Sequence, residues 1–378
     1  MKILILTTQD RFFLSHLRER ASYFQRQGNQ VYVLAQKTEN ILVKTIESYG
    51  FTFFDTKIER ASTNPLIEYV SVSRLFKIYQ SIQPDVAWHL GAKAIIYGTY
   101  VAHQLDKNIG IVNAPIGLGY VFASNETKAK LLQPILLSLY KKFLNPQNSR
   151  VIIENLDDIN FFIKQGALKP QYAHCILGAG VDTTEFRSSN EKNPICTVIF
   201  AARLIKEKGV WDFVQAAHIL YEMNAPVRMQ LVGVPDYGNP SSLTTEEFEQ
   251  LKQDPAIEVL GFREDISALF KRAHICCLPS FYREGLPRVL VEATSSGLVI
   301  LTTDTVGCRE AIRDKNGFLF KPHDVKAMVS SILYLINNEA ERIEMAKRSR
   351  KVALMYFDTK EICKRTYEIL KMVAKKNN

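Results

Sequence analysis

The sequence predicts an α/β protein built from two doubly wound domains. Three observations lead there. Short runs rich in Val, Ile, Leu and Phe alternate with helical patterns, which is how a parallel sheet flanked by helices reads in sequence. The alternation is interrupted by a polar stretch, SSNEKNP at 188–194, and then starts again, as expected of a linker. Finally, 378 residues are more than one hydrophobic core organises and suit two domains.

The elements follow in order. KILILTT opens the first half as a strand, and 12–27 reads as a helix ended by Gly28. QVYVLAQ is the next strand, 42–49 a helix closed by Gly50, and FTFFDT a strand. Residues 67–83 look helical, PDVAWHL is a strand, 92–105 a helix, and IGIVNAP and RVIIEN are further strands. KAKLLQPILLSLYKKFL, at 128–144, combines clustered leucines with four lysines. It fits either a packed domain helix or a helix lying on an anionic membrane. The second half repeats the pattern. CTVIFAA, VRMQLVG, IEVLG, HICCLPS, VILTT and GFLF are strands, and 210–223, 244–253, 266–272, 288–296 and 325–337 are helices. An amphipathic helix at 360–375 lies beyond that count.

Composition narrows the function classes. Apolar residues make up 47% and charged residues 23%, ordinary values for a soluble globular protein. The six cysteines form no CxxC pair and no zinc-type spacing, so a reducing cytoplasm is the simpler setting. The apolar run in MKILILTT is too short for a signal-peptide core, and no stretch reaches the roughly 18 apolar residues of a membrane span. The net charge of +9 is spread over both halves. That favours phosphates or an anionic lipid surface, but without dense basic runs it does not indicate nucleic acid.

The motifs narrow them further. Neither half carries GxGxxG after its first strand, and no GxxxxGK[ST] occurs, so dinucleotide-binding and P-loop chemistry find no support. No DxD, HExxH or GxSxG is present. Two features remain. Arg203 and Lys208 sit five apart where a strand runs into a helix. Such cations beside free helix N–H groups make a diphosphate site, although a solvated basic loop would read the same way. In REGLPRVLVEA, Glu284 precedes and Glu292 lies within a helix whose first turn Pro287 should mark. The two can flank one ligand at the carboxyl edge of a sheet, or serve as an N-terminal acid and an exposed helix glutamate. A glycosidase pair would need a similar separation, but would have no use for the phosphate-type loop.

ARLIKEKG, LVGVPDYGNP, VLGFREDI, LPSFYREGLPRVLVEATSSGLVILTTDTVGCREAI and NGFLF together resemble the donor domain of glycosyltransferase family 4. The resemblance covers nearly the whole chain. It implies the GT-B fold: two Rossmann-like domains facing a central cleft, 1–187 for the acceptor and 188–359 for the nucleotide sugar, with the helix at about 360–378 crossing back to the first. The family hallmark, glutamate followed by seven residues and a second glutamate, falls on Glu284 and Glu292. In the first half ERASTNP, HLGAKAIIYG and the GLG at 117–119 resemble the branch that acts on polyprenyl-diphosphate-linked sugars, including CapM-type capsular enzymes.

The resemblance implies roles. Glu292 would hold the ribose hydroxyls. Glu284, with the backbone of Gly285 and Leu286, would hold the transferred sugar. Arg203 and Lys208 would stabilise the diphosphate leaving group in place of a metal, so no metal and no cofactor are expected. Phe262 and Arg263 would lie beside the nucleobase, and Arg60, Lys93, Gly117 and Gly119 on the acceptor side. Many members carry a histidine before the Gly of the first-domain loop; here Ile116 stands there. His89 and Lys93, on another strand end, could reach the cleft but are more often structural in such places, so no general base is assigned. The expected activity is retaining transfer of an N-acetylhexosamine from a UDP-sugar to a polyprenyl-diphosphate-linked saccharide in bacterial surface-glycan assembly. The expected place is cytoplasmic, peripheral to the inner face of the membrane. A sugar-nucleotide epimerase of similar fold, or a non-catalytic sugar-nucleotide-binding protein, are the alternatives.

Overall fold

A computed structural model describes residues 1–59, 62, 64–116, 122, 127–283 and 285–375, with 127–129 as backbone only. The chain divides into two compact units, Met1–Ala179 with Lys360–Asn378, and Gly180–Thr359. Each is built on one all-parallel sheet.

The first sheet has seven strands: β1 (Lys2–Gln9), β2 (Gln30–Gln36), β3 (Thr52–Asp55), β4 (Val86–Leu90), β5 (Gly110–Ala114), β6 (Ser149–Ile153) and β7 (Ala173–Cys175), in the order β3-β2-β1-β4-β5-β6-β7. Alternate residues of each strand serve opposite faces. Ile3, Ile5, Val86 and Trp88 join one core cluster, and Leu4, Leu6 and Ala87 join the other. Burial on both faces explains why these strands read as continuous apolar runs. The helix Thr359–Val373 completes the first cluster with Ile362, Ile369, Leu370 and Val373. Its end approaches β5 so closely that a Cβ on Gly110 would lie 2.1 Å from the Val373 carbonyl oxygen. Lys375 Nζ then donates to Asp106 Oδ2 at 2.7 Å. The C-terminal helix therefore belongs to the first unit, as the resemblance implied.

The second sheet has six strands: β8 (Cys196–Ala201), β9 (Val227–Val232), β10 (Glu258–Gly261), β11 (Ile275–Leu278), β12 (Val299–Thr303) and β13 (Gly317–Phe320), in the order β10-β9-β8-β11-β12-β13. Strand order reverses between β1 and β4 in one sheet and between β8 and β11 in the other. Ligands bind parallel sheets beyond the carboxyl ends of the strands at such switch points.

Most expected elements are present, including the helices Ala92–Leu105, Ile266–Arg272 and Val325–Asn337. The expected helix at 12–27 contains a wide turn at Phe13–Leu17 before the regular segment Arg18–Arg26. Among the described residues, the helices Leu156–Lys164 and Glu339–Val352, the short strand β7 and several single helical turns go beyond the expected set. The polar stretch at 188–194 falls inside the second unit. The division lies ahead of it, at Ala179/Gly180, because Val181 pairs with Asp358 and its N–H donates to Phe357 O at 2.8 Å. No helix among the described residues is long and apolar enough to cross a membrane.

Candidate active site

At the carboxyl end of β8 the chain leaves the sheet through Arg203–Lys208. Leu204 and Ile205 are buried and pair as isolated bridges with Pro235 and Ser242. Burial of these two side chains anchors the loop and leaves Arg203 facing outward. Arg203 Nη1 donates to Asp236 Oδ2 at 2.6 Å, and its side chain stays 62% exposed. An ion pair so exposed is worth little, so the guanidinium can exchange Asp236 for an anionic ligand at small cost.

Lys208 closes a short 3-10 turn, Lys206–Lys208, and is 9% exposed. Its ammonium lies 5.9 Å from the Tyr282 ring centroid. Gly209 follows with φ +78°, and a Cβ there would meet the Pro279 carbonyl oxygen at 2.2 Å. A left-handed backbone pressed against another strand end is a place for glycine alone. This contact brings the β8 loop against the segment after β11. Phe281 N and Tyr282 N both donate to Glu207 O, at 2.9 and 3.2 Å.

Beyond β11 the chain turns through Gly285 and the buried Leu286 into the helix Arg288–Ser295. Pro287, expected in the first helical turn, is instead the N-cap, with φ −58° and ψ 121°. Its missing N–H is no loss there either, because that group would have no partner within the helix. Leu290, Val291 and Ala293 are buried and fix the helix on the sheet. Glu292 is thereby drawn inward, its side chain 13% exposed, with Arg288 Nε donating to Oε1 at 2.7 Å. Burial pushes the Glu292 carboxyl above the ordinary glutamate value, the Arg288 guanidinium opposes this, and Glu185 adds to the rise. A half-dry carboxylate held by an exposed arginine is suited to accept hydrogen bonds from ligand hydroxyls.

Phe262, just past β10, is 68% exposed. Arg263 makes a two-point contact with Asp265, at 2.7 and 2.6 Å. The structure thus places Arg203, Lys208, Gly285, Leu286, Glu292, Phe262 and Arg263 after the carboxyl ends of β8, β10 and β11. Glu284 lies outside the described residues, as do Arg60, Gly117 and Gly119. Asp236, Arg288 and Glu207 join the edge without having stood out in the sequence. Only the i,i+4 spacing of Arg288 and Glu292 carried a local signal.

In the first unit Lys93 stands in the first turn after β4. Its three N–H groups reach Glu59 O (2.7 Å), Ser62 O (2.7 Å) and Glu68 Oε1 (2.6 Å). Lys93 therefore braces the residues on either side of Arg60. The expectation that His89 could reach a ligand is corrected. His89 is fully buried, with Tyr79 Oη at 2.8 Å from Nε2 and Asn113 Oδ1 at 2.9 Å from Nδ1. Desolvation lowers its pKa to about 4, so it stays neutral and structural. Ile116 packs against the first core cluster.

Two cavities among the described residues lie away from this edge. One of about 890 Å³ opens beside Lys2, Gln30, Asp85 and Ile109. Another, of about 800 Å³, opens beside Ile195, Val227, Pro255 and Glu258. Both lie where strands begin, whereas ligands bind such sheets where strands end; the carboxyl edge is the better candidate.

Comparison with known proteins gives the family and the fold. The family model "Glycosyl transferases group 1" matches residues 181–352, and "Glycosyl transferase 4-like" matches 2–155. The chain belongs to the family 4-like glycosyltransferases. A Campylobacter jejuni relative, N,N'-diacetylbacillosaminyl-diphospho-undecaprenol alpha-1,3-N-acetylgalactosaminyltransferase, is 27% identical over 96% of this chain and 98% of its own. An Escherichia coli relative, UDP-Gal:alpha-D-GlcNAc-diphosphoundecaprenol alpha-1,3-galactosyltransferase, is 23% identical over 74% of this chain and 73% of its own. Anabaena HepE, solved with UDP, superposes with a TM-score of 0.78 at 18% identity, covering 98% of this glycosyltransferase and all of HepE. WaaG, involved in lipopolysaccharide biosynthesis, gives 0.70 at 16% identity, over 98% and 99% of the two chains. These likenesses assign the glycosyltransferase the GT-B fold.

Proposed function

We propose that this glycosyltransferase moves an N-acetylhexosamine from a UDP-sugar to a polyprenyl-diphosphate-linked saccharide, with retention at the anomeric carbon, in the assembly of a bacterial surface glycan. The observation that carries the reading is the edge at the switch point of the second sheet. There an exchangeable arginine, a nearly buried lysine and an enclosed glutamate stand beside a helix N-terminus. Arg203 and Lys208 neutralise the diphosphate as charge develops on it, which is electrostatic catalysis without proton transfer. Glu292 accepts from the ribose hydroxyls, and the Glu284–Leu286 segment holds the sugar. No side chain is assigned as base, since the departing phosphate can take the acceptor's proton.

Several comparisons support the finer parts. HepE is solved with UDP and with UDP-glucose. Both named relatives use diphospho-undecaprenol-linked acceptors and carry alpha-1,3 in their names, the outcome of retention from an alpha-linked nucleotide sugar. The helix Thr127–Phe143 would meet the membrane. Leu131 and Ile135 are 69% and 58% exposed, with Lys130, Lys141 and Lys142 also exposed, a face suited to an anionic bilayer. Replacing Lys128, Lys130, Lys141 and Lys142 should weaken binding to anionic liposomes, and unchanged binding would remove the membrane part of the reading.

The deciding assay supplies labelled UDP-N-acetylhexosamines and a short-chain polyprenyl-diphosphate saccharide. Label should appear in an alpha-linked lipid product. Isomerisation of free donor, or binding without turnover, would replace this reading by one of the two alternatives.

A further inference from the structure

We propose that Glu207 is a positioning residue for transfer: its carboxylate clasps Ser241 beyond β9 and so holds the loop of Arg203 and Lys208, which its main-chain carbonyl ties to the segment after β11, in register for the donor. The inference rests on reading this edge as the donor site.

In sequence Glu207 is an acid between Lys206 and Lys208, which suggests a solvated side chain. The structure turns it inward. Its carbonyl oxygen receives three donors from the segment after β11: Phe281 N at 2.9 Å, Tyr282 N at 3.2 Å and Ser280 Oγ at 3.1 Å. Its carboxylate reaches the other way, accepting from Ser241 Oγ at 2.5 Å through Oε1. Lys206 N donates to Ser241 O at 2.9 Å in the same place. Ser280 O in turn accepts from Thr303 Oγ1 and, at 3.2 Å, from Thr305 Oγ1. One residue thus joins the loops beyond β8, β9 and β11, and Ser280 extends the knot to the end of β12.

Oε2 of Glu207 is buried and has no hydrogen-bond partner among the described residues. A bare buried carboxylate oxygen is costly, and an apolar or neutral side chain would avoid that cost. What the side chain supplies is the acceptor for Ser241, through Oε1. Transfer is sensitive to this because a displacement of about 1 Å in a reacting group can cost roughly 100-fold in rate.

The test compares Glu207→Ala, Glu207→Gln and, as control, Lys208→Ala in the full chain, with UDP-sugar and lipid-linked acceptor. E207A should lower kcat about 10-fold or more, while UDP affinity by calorimetry changes far less. E207Q, which keeps the acceptor for Ser241, should restore most of the turnover. A purely structural glutamate would lower thermal stability without this split. Wild-type kcat in E207A, with K208A impaired, overturns the proposal and leaves the donor site standing. Wild-type kcat in both variants overturns the donor site and the proposal together. If E207A does not fold, Ser241→Ala removes the same clasp, and an unchanged kcat in S241A counts against the proposal equally.

Discussion

At the carboxyl ends of β1 and β4, the protein uses up its own polar groups; at the ends of β8 and β11, it holds them in pairs that a ligand can open. In the first unit Asp10 is buried and accepts from Arg11 N, Thr38 N and Thr38 Oγ1, at 2.7, 2.8 and 2.6 Å. His89 is locked between Tyr79 and Asn113, and all three protons of Lys93 are engaged. In the second unit Arg203 and Glu292 each rest on a charged partner that is largely or partly open to water: Asp236 is 32% exposed and Arg288 55%. Both sheets present polar residues at the switch point. The lesson is that position at a switch point does not make a group available; what matters is how many of its hydrogen bonds the fold has already spent.

The strongest way to break this comparison is Lys208→Ala. Losing one preorganised charge against the leaving diphosphate should cut kcat about 100- to 1000-fold, measured as labelled sugar transferred to lipid. Next is Glu292→Ala, which should weaken UDP binding about 10- to 100-fold, the range for hydrogen bonds to a charged group. Unaltered UDP affinity by calorimetry would remove Glu292 from the ribose. Lys93→Ala should behave differently: UDP affinity stays, thermal stability drops by about 1–3 kcal/mol from the orphaned Glu68, and KM for the acceptor rises through the 59–62 segment.

Smaller effects come from pH. His89 has a folded-state pKa of about 4, below its ordinary 6.5, because burial disfavours the charged ring. Its contribution to stability is complete above 6.5 and is lost as pH falls from there toward 4, since the unfolded chain takes up the proton first. Chemical denaturation of His89→Gln across that window should show a shallower slope, with the remainder due to groups such as His274, also lowered to about 4 by burial. Glu292 shifts the other way. Its raised pKa means that UDP affinity should begin to fall on acidification at a pH above the ordinary glutamate range, as the acceptor oxygen gains a proton. Affinity in Glu292→Gln should be flatter with pH.

Much of the fold and of the donor edge is legible in the amino-acid sequence. Strands buried on both faces announce themselves as continuous apolar runs, and Glu292 and the Arg203–Lys208 pair, picked out by spacing, fall at the candidate edge. The helix Glu339–Val352 escapes such a reading for a definite reason. Its buried positions are Arg342, Met345, Ser349 and Val352, and two polar residues break the apolar periodicity on which helix recognition depends. Arg342 is tolerated inside because it donates to Leu335 O and Glu339 Oε1, both at 2.8 Å.

The sequence by itself determined the two-domain α/β plan, the family and a set of candidate residues that fall at the carboxyl edge of the second sheet, because periodicity, turn glycines and motif spacing are local properties. Tertiary structure alone decided which of those residues remain open to a ligand. That Glu207 turns inward, that Arg203 rests on Asp236, that His89 is sealed among hydrogen bonds and that the last helix completes the first core all depend on partners distant in the chain, and no local pattern encodes the burial that selects them.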